Sequence, residues 1–158
     1  MVHSDDAHSK DMVTVERLIP ASAAMIFDLL ADPARHTEID GSGSVRDANS
    51  GATKLELGSK FGMSMKAGIG YSMQNTIIEF EQDRRIAWQT RPPNRVIGMA
   101  IGGRIWRYEL EPADGSTLVR ETWDITQEQV KWMVRPLATK TKAAMEKTLE
   151  RIEQVLKA

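Results

Sequence analysis

The sequence predicts an α+β domain in which a curved antiparallel β-sheet wraps around a long C-terminal α-helix. After a first strand and two short helices, five or six strand patterns follow one another with no helix between them, which favours an antiparallel sheet. The last third of the chain has one apolar helical face, which must be buried against a large partner, and the sheet is the only large partner available. A gap between sheet and helix would form a concave apolar site, the usual form of a small-molecule pocket.

The N-terminal third predicts a tail, a strand and two short helices. Residues 1–11 are mostly polar and predict a disordered tail. β-Branched residues recur from Met12 to Ile19 and predict the first strand, which Pro20 ends. Ser22 is a suitable N-cap for a helix whose apolar residues recur at helical spacing, and a second short helical turn is expected over 33–39.

The middle of the chain predicts strands separated by turn residues. The predicted strands are Val45–Ala48, Lys60–Lys66, Tyr71–Glu81, Arg85–Arg91, Ile105–Glu111 and Thr117–Ile125. Asp114 and Gly115 stand between the last two strands and predict a tight hairpin. Residues 96–103 are apolar and contain glycine, and they suit either a loop over a pocket or the continuation of a strand.

The C-terminal third predicts helix. Thr126 and Gln129 have the spacing of a capping box, which predicts a helix start near Thr126, and Pro136 should break or restart that helix. After Pro136, apolar residues from Leu137 to Leu156 form one helical face, and charged residues form most of the other.

Length and composition limit the classes of function. The chain has 158 residues, the length of one domain, which we place at residues 12–158. A formal net charge of −1 argues against general nucleic-acid binding. The absence of Cys excludes a disulfide framework, a thiolate zinc site and a Cys nucleophile. The first residues have no apolar run and no stretch reaches about 20 apolar residues, so we expect a cytoplasmic protein without stable membrane insertion.

No cofactor or metal is predicted. The sequence contains no GxSxG, P-loop or HExxH motif, and residues 98–103 lack the spacing of a dinucleotide-binding loop. His3 and His8 lie in the predicted tail, where a flexible segment gives no fixed ligand geometry.

The order of elements resembles the START-like, helix-grip superfamily (SRPBCC), and in particular its polyketide cyclase/dehydrase branch. VTVERLIPASAAMIFDLLADPARHTEIDGSG (13–43) is similar to the first strand, helix pair and glycine-containing turn of that family. NTIIEFEQDRRIAW (75–88) resembles its central hairpin, and WRYELEPADGSTLVRETWD (106–124) its last hairpin. The resemblance covers about residues 12–157 and implies an internal cavity for an apolar ligand, whereas it implies much less about a reaction.

Three residues are candidates for acid–base chemistry. His36 lies four residues before Asp40, so on a helix the two would share a face; a helix-end pair that fixes the following turn is the alternative. Tyr108 shares a strand face with Trp106 and could move protons in the cavity of an enzyme. Glu121 shares a face with apolar residues, where burial would raise its pKa; an ion pair with Arg107 or Arg120, or exposure, are the alternatives.

The predicted pocket combines aromatic, methionine and polar side chains that alternation places on one sheet face, with the apolar face of the last helix. Its members are Phe61, Met63, Met65, Asn75, Trp88, Trp106, Tyr108, Glu121, Trp123, Met145 and Leu149. Either Gln74 or Asn75 must face inward on a regular strand, and the sequence leaves open which. Arg84, Arg85, Arg91 and Arg95 cluster near one hairpin and could meet an anionic headgroup, or form a solvated turn.

Three functions fit these observations. The first is a binding or carrier protein for a hydrophobic small molecule such as a lipid, a fatty acyl chain or a polyketide-like compound. The second is an enzyme that acts on a poly-β-keto chain as a cyclase or aromatase and uses cavity acid and base groups. The third is a protein-interaction or regulatory module in which the cavity is incidental. A convergent acid–base pair in the interior would favour the enzyme, and a homodimer is left open.

Overall fold

The computed structural model of the protein describes residues 11–40, 45–48, 54–65, 71–92 and 102–157, without the side chains of 45–48, 63–65 and 71–72. Seven strands within these residues form one antiparallel sheet in the order β1-β7-β6-β5-β4-β3-β2. The strands are β1 (Met12–Ile19), β2 (Val45–Ala48), β3 (Lys60–Met65), β4 (Tyr71–Glu81), β5 (Arg85–Arg91), β6 (Arg104–Ala113) and β7 (Ser116–Asp124). The helices are α1 (Ala23–Leu30), α2 (His36–Ile39), α3 (Lys131–Val134) and α4 (Ala138–Lys157). The predicted helix-grip architecture is therefore confirmed.

The first helix follows the sequence signals closely. Ser22 is the N-cap of α1, and its Oγ accepts a hydrogen bond of 3.2 Å from the backbone N–H of Met25. Ile26, Phe27, Leu29 and Leu30 are buried, so α1 turns its apolar side to the interior. A 3₁₀ turn at Pro33–Arg35 then leads into α2.

The hairpin between β6 and β7 sets the pairing of the central residues. Asp114 and Gly115 both have positive φ, 49° and 82°, as a two-residue hairpin turn of this kind requires. Ala113 therefore pairs with Ser116, and counting back along the strands places Tyr108 opposite Glu121 and Trp106 opposite Trp123. The predicted tight hairpin is confirmed.

The sheet has an apolar inner face and a charged outer face. On β7, Val119, Glu121 and Trp123 are buried under the helices, whereas Arg120 between them lies on the opposite face and pairs with Glu16 of β1. This is the period-two alternation of a strand with one face in the core. The side chains of the predicted pocket on β6 and β7 are thereby turned inward.

The helix start predicted at Thr126 is wrong. The backbone N–H and the hydroxyl of Thr126 both donate to Oδ1 of Asp124, at 2.9 and 2.6 Å. The Thr126 side chain therefore stabilises a turn and does not cap a helix. α3 begins only at Lys131. The backbone of the turn passes so close to Gly103 (φ 115°) that a Cβ there would lie 2.4 Å from the carbonyl oxygen of Gln127.

The long helix α4 closes the interior. Met145, Thr148, Leu149 and Ile152 are its buried residues. Arg17 of β1 pairs with Glu153 of α4 at 3.2 Å, which links the helix to the edge strand of the sheet. None of the described helices is long and apolar enough to cross a bilayer.

The folded structure includes Asp11, which the sequence analysis assigns to the tail. Its carbonyl oxygen accepts from the N–H of Ile125 at 2.9 Å, and its carboxylate pairs with Arg135 at 2.9 Å. The N-terminal end of β1 is thus joined to both the end of β7 and the segment before α4.

Candidate functional site

The inner face of β6 and β7 holds a buried pair of ionisable side chains. The hydroxyl of Tyr108 donates a hydrogen bond of 2.8 Å to Oε1 of Glu121. Tyr108 is 4% exposed and Glu121 is 2% exposed. Hairpin register brings them together, because they are direct partners across the two strands. The sequence left burial, exposure and an ion pair with Arg107 or Arg120 open for Glu121; the structure shows it buried, and it forms no ion pair with either arginine among the described residues.

Burial keeps the Glu121 carboxyl group protonated at neutral pH. Loss of hydration raises the pKa of Glu121 to about 8; the hydrogen bond from Tyr108 lowers it in part, and the negative charge of Asp40 raises it further. Burial and the neighbouring Glu121 also raise the pKa of Tyr108 well above its ordinary value. The interior therefore holds a neutral acid that can give up or take back a proton near physiological pH.

Two buried polar atoms at this place have no hydrogen-bond partner among the described residues. They are Oε2 of Glu121 and the indole Nε1 of Trp123, two residues further along the same face of β7. Leaving such an atom unpaired costs about 1–3 kcal/mol, and native proteins keep few of them. One of these atoms belongs to a carboxyl group and the other is an N–H donor, so together they could hold a polar group of a bound molecule.

His36 lies in the same aromatic cluster, on α2. Its Nε2 is 2.8 Å from the carbonyl oxygen of Leu30, which can only accept, so Nε2 carries the hydrogen in the neutral ring. The ring stacks on Trp88 with centroids 5.1 Å apart and meets the edge of Phe61 at 5.4 Å. Burial lowers the pKa of His36, although the Leu30 contact and the charges of Asp32 and Asp40 oppose this, so the ring is neutral at pH 7.

The aromatic rings connect His36 to the acid pair. Trp88 lies between His36 and Tyr108, with its ring centroid 5.6 Å from that of Tyr108. Trp106 is half-buried, packs against the core, and pairs with both Trp88 and Trp123 across neighbouring strands. All three predicted acid–base candidates thus lie in or beside one aromatic cluster.

The remaining predicted residues divide by position. Asn75 is the inward residue of its pair, since it is buried and its Oδ1 accepts from the hydroxyl of Thr90 at 2.6 Å, whereas Gln74 is exposed. Met145 and Leu149 are buried on the inner side of α4. The side chains of Met63 and Met65 lie outside the described part of the chain.

The arginines of the central strands belong to the outer face. Arg107 contacts Glu79 at 2.6 Å and Asp124 at 3.6 Å, and Arg85 pairs with Glu109 at 3.2 Å. Arg84, Arg85 and Arg120 line a surface cleft of about 230 Å³ whose walls also carry an equal number of acidic residues, Glu81, Glu109 and Glu111. Acidic neighbours therefore offset these arginines, which weakens the anionic-headgroup hypothesis for them. Arg95 lies outside the described residues.

Sequence reasoning missed the influence of Asp40. Its charge raises the pKa of Glu121, Tyr108 and His36, which belong to three different elements. The sequence showed Asp40 only as a helical neighbour of His36, and its approach to the sheet depends on how α2 packs. No group of three or more His, Asp or Glu side chains able to hold a metal occurs among the residues that the structure describes.

Comparisons with known proteins show the family and the fold of this chain. The family model described as "Polyketide cyclase / dehydrase and lipid transport" matches residues 11–157. The uncharacterized protein Rv0088 of Mycobacterium tuberculosis is 36% identical over 108 residues, which cover 67% of this chain and 44% of that protein. This chain therefore matches less than half the length of that relative.

Solved structures share the fold at low identity. Protein Ms6760 of Mycobacterium smegmatis superposes with a TM-score of 0.70 at 14% identity, over 95% of this chain and 93% of that one. Protein MLL2253 of Mesorhizobium loti gives a TM-score of 0.67 at 17% identity, over 92% and 96%. At these identities the likeness shows the fold alone.

Proposed function

This chain belongs to the polyketide cyclase/dehydrase and lipid transport family, and we propose that it is a carrier of a hydrophobic small molecule held between sheet and helix. A lipid, a fatty acyl chain or a polyketide-like compound is the class of ligand. Apolar burial would supply the affinity, at about 25 cal/mol for each Å² removed from water. The carrier would act in the cytoplasm, and its partner would not be a nucleic acid, in keeping with a net charge of −1.

One observation carries the proposal: Oε2 of Glu121 and Nε1 of Trp123 are buried without partners among the described residues. Apolar side chains at positions 121 and 123 would avoid the cost of burying these two polar atoms, so stability alone does not explain why polar groups are present there. A ligand with a polar head would satisfy both atoms and be oriented by them. Its apolar part would lie against Trp88 and Trp106, and against Met145 of α4.

A second function, acid–base catalysis, rests on the Tyr108–Glu121 hydrogen bond. A carboxyl group with a pKa near 8 is suited to move a proton at neutral pH. In an aldol closure of a poly-β-keto chain, the ionised form would take a proton from the carbon between two carbonyls. In the dehydration that follows, the acid form would protonate the leaving hydroxyl, which departs as water, and the resulting carboxylate would take the neighbouring α-proton as the carbon–carbon double bond forms.

Native mass spectrometry of the freshly purified protein, with analysis of its organic extract, tests the carrier. We expect an added mass that organic extraction removes. Bare protein that then fails to bind a fluorescent fatty acid would contradict the proposal and favour an interaction module.

Returning the extracted compound to the stripped protein separates carrier from enzyme. A carrier leaves the compound unchanged, whereas a cyclase/dehydrase yields a product lighter by one water. If the enzyme is correct, Glu121→Gln abolishes that product while binding of the fluorescent fatty acid stays within a few-fold. Loss of folding in this variant would show a structural role, and Tyr108→Phe then serves as the second variant.

A further inference from the structure

Three large apolar side chains are exposed close together in sequence, two in α3 and one in the 3₁₀ turn (Arg135–Leu137) that leads into α4. Trp132 is 73% exposed, Met133 55% and Leu137 44%. A tryptophan with most of its surface in water is unusual, because burial of its large ring gives one of the largest hydrophobic free-energy gains of any side chain. We call Trp132, Met133 and Leu137 the exposed apolar patch.

The chain around the exposed apolar patch is strongly basic. Residues 129–145 contain four Lys and Arg residues and no Asp or Glu, so this segment carries a formal charge of +4. The whole chain carries −1, and the rest of it therefore carries −5. Lys140 and Lys142 are exposed, and neither forms an ion pair with any described residue.

The segment is held firmly on the protein although its apolar residues face outward. Val134, next to Met133, is buried in the hydrophobic core. Arg135 is fixed by its ion pair with Asp11 at 2.9 Å. The exposed apolar patch is therefore a projecting part of the fold, and Trp132 and Met133 would remain outside it unless a partner covers them.

We propose that this segment docks on the surface of an anionic phospholipid bilayer. Trp132 would lie at the headgroup level, where amphipathic aromatic rings are favoured, with Met133 and Leu137 beside it. The lysines would be attracted to the anionic headgroups, and the negative remainder of the protein would be repelled, which orients the molecule. This is contact with the membrane surface without a spanning segment, and it does not depend on the identity or presence of a ligand inside the domain.

The positive charge of this segment favours an anionic bilayer over a symmetric second copy of the chain as the binding partner. In a two-fold symmetric dimer through this surface, a second copy of this chain would bring a basic segment against a basic segment, which electrostatic repulsion opposes. An anionic bilayer offers negative charge together with an apolar layer at the depth that Trp132 can reach. The observations therefore favour the lipid surface.

The test uses vesicles of phosphatidylcholine alone and of phosphatidylcholine with phosphatidylglycerol, in a sedimentation assay with the full chain. We expect binding to the anionic vesicles that weakens at high salt, and at least tenfold weaker binding to the neutral ones. Trp132→Ala should weaken anionic binding at least fivefold, and the double variant Lys140→Glu/Lys142→Glu at least tenfold. The matched controls, Leu57→Ala and Lys60→Glu/Lys147→Glu, change equally exposed residues elsewhere and should have little effect.

Brominated lipids give an independent readout of the docking geometry. The other three tryptophans lie in or against the core, so quenching by bromine in the bilayer should come from Trp132. Trp132→Phe should keep most of the binding and lose the quenching. Equal binding to neutral and anionic vesicles, no binding to either, or equal loss in the control variants would overturn the proposal. A dimer that Trp132→Ala dissociates, without vesicle binding, would overturn it in favour of self-association.

Discussion

The two faces of the central strands hold carboxylates in opposite ways. On the outer face, Glu79 lies within 3.7 Å of both Arg85 and Arg107, and Asp124 lies 3.6 Å from Arg107. On the inner face, Glu121 has only the hydroxyl of Tyr108 as its hydrogen-bond partner among the described residues. The outer carboxylates are paired with arginines, whereas the inner one is kept neutral by burial.

This difference separates structural charges from a candidate functional acid. On the outer face, ion pairs link neighbouring strands, and each carboxylate in them has an arginine as its partner. The inner carboxyl group reduces stability, since loss of hydration is not repaid by a cation. A group that is retained at such a cost is a candidate for binding or proton transfer.

The largest expected effect of this difference between the two faces is on the pH dependence of the free energy of unfolding. Glu121 has a pKa of about 8 when folded and 4.5 in an unfolded chain, so the folded state binds more protons between these values. The free energy of unfolding should therefore fall as pH rises from 4.5 to 8, by up to about 5 kcal/mol, and this contribution should stay constant above pH 8. Glu121→Gln should remove the fall, as measured by urea unfolding at a series of pH values.

The control for that series is a second buried glutamate. Glu128 is also buried, but its Oε2 accepts from the backbone N–H and from Nε of Arg104, at 2.9 and 3.1 Å. Glu128→Gln should destabilise the protein and leave the fall between pH 4.5 and 8 in place. A wild-type protein with no fall in that window would contradict the neutral state of Glu121.

Breaking an outer ion pair should have a smaller effect that depends on burial. Arg107→Met removes the cation from Asp124, whose side chain is almost buried, and should lower the free energy of unfolding by about 2 kcal/mol. Arg120→Met breaks a more exposed pair with Glu16 and should cost about 0.5 kcal/mol or less. Urea unfolding of both variants measures the difference, and equal costs would show that the outer network does not act as described.

The last prediction concerns ligand binding at the inner apolar surface. Trp106→Ala should weaken binding of a fluorescent fatty acid about tenfold, because the indole supplies apolar contact area to the proposed ligand. Lys147→Ala, an exposed change on α4, should leave the affinity unchanged. Fluorescence titration measures both, and equal affinities would show that Trp106 does not contribute to the proposed binding site.

The sequence allowed most of the fold and part of the site to be predicted, for identifiable reasons. Strand alternation placed Glu121 and Trp123 on the buried face, and Asp114-Gly115 fixed the last hairpin, because both signals are local. The predicted helix start at Thr126 was wrong because Asp124, which is not part of the capping-box pattern, accepts hydrogen bonds from the hydroxyl and the N–H of Thr126. The stacking of His36 on Trp88 could not be predicted, since it depends on how α2 lies over the sheet.

Direct titration of the Glu121 carboxyl group tests the central claim, that the interior holds a neutral acid. Glutamate labelled with ¹³C at the carboxyl carbon would be followed by NMR from pH 4 to 10, with the signal of Glu121 assigned by its absence in Glu121→Gln. A midpoint near 8 is the predicted result. A midpoint between about 4 and 5, the range of ordinary glutamates, would show that Glu121 is charged at neutral pH and would contradict the account.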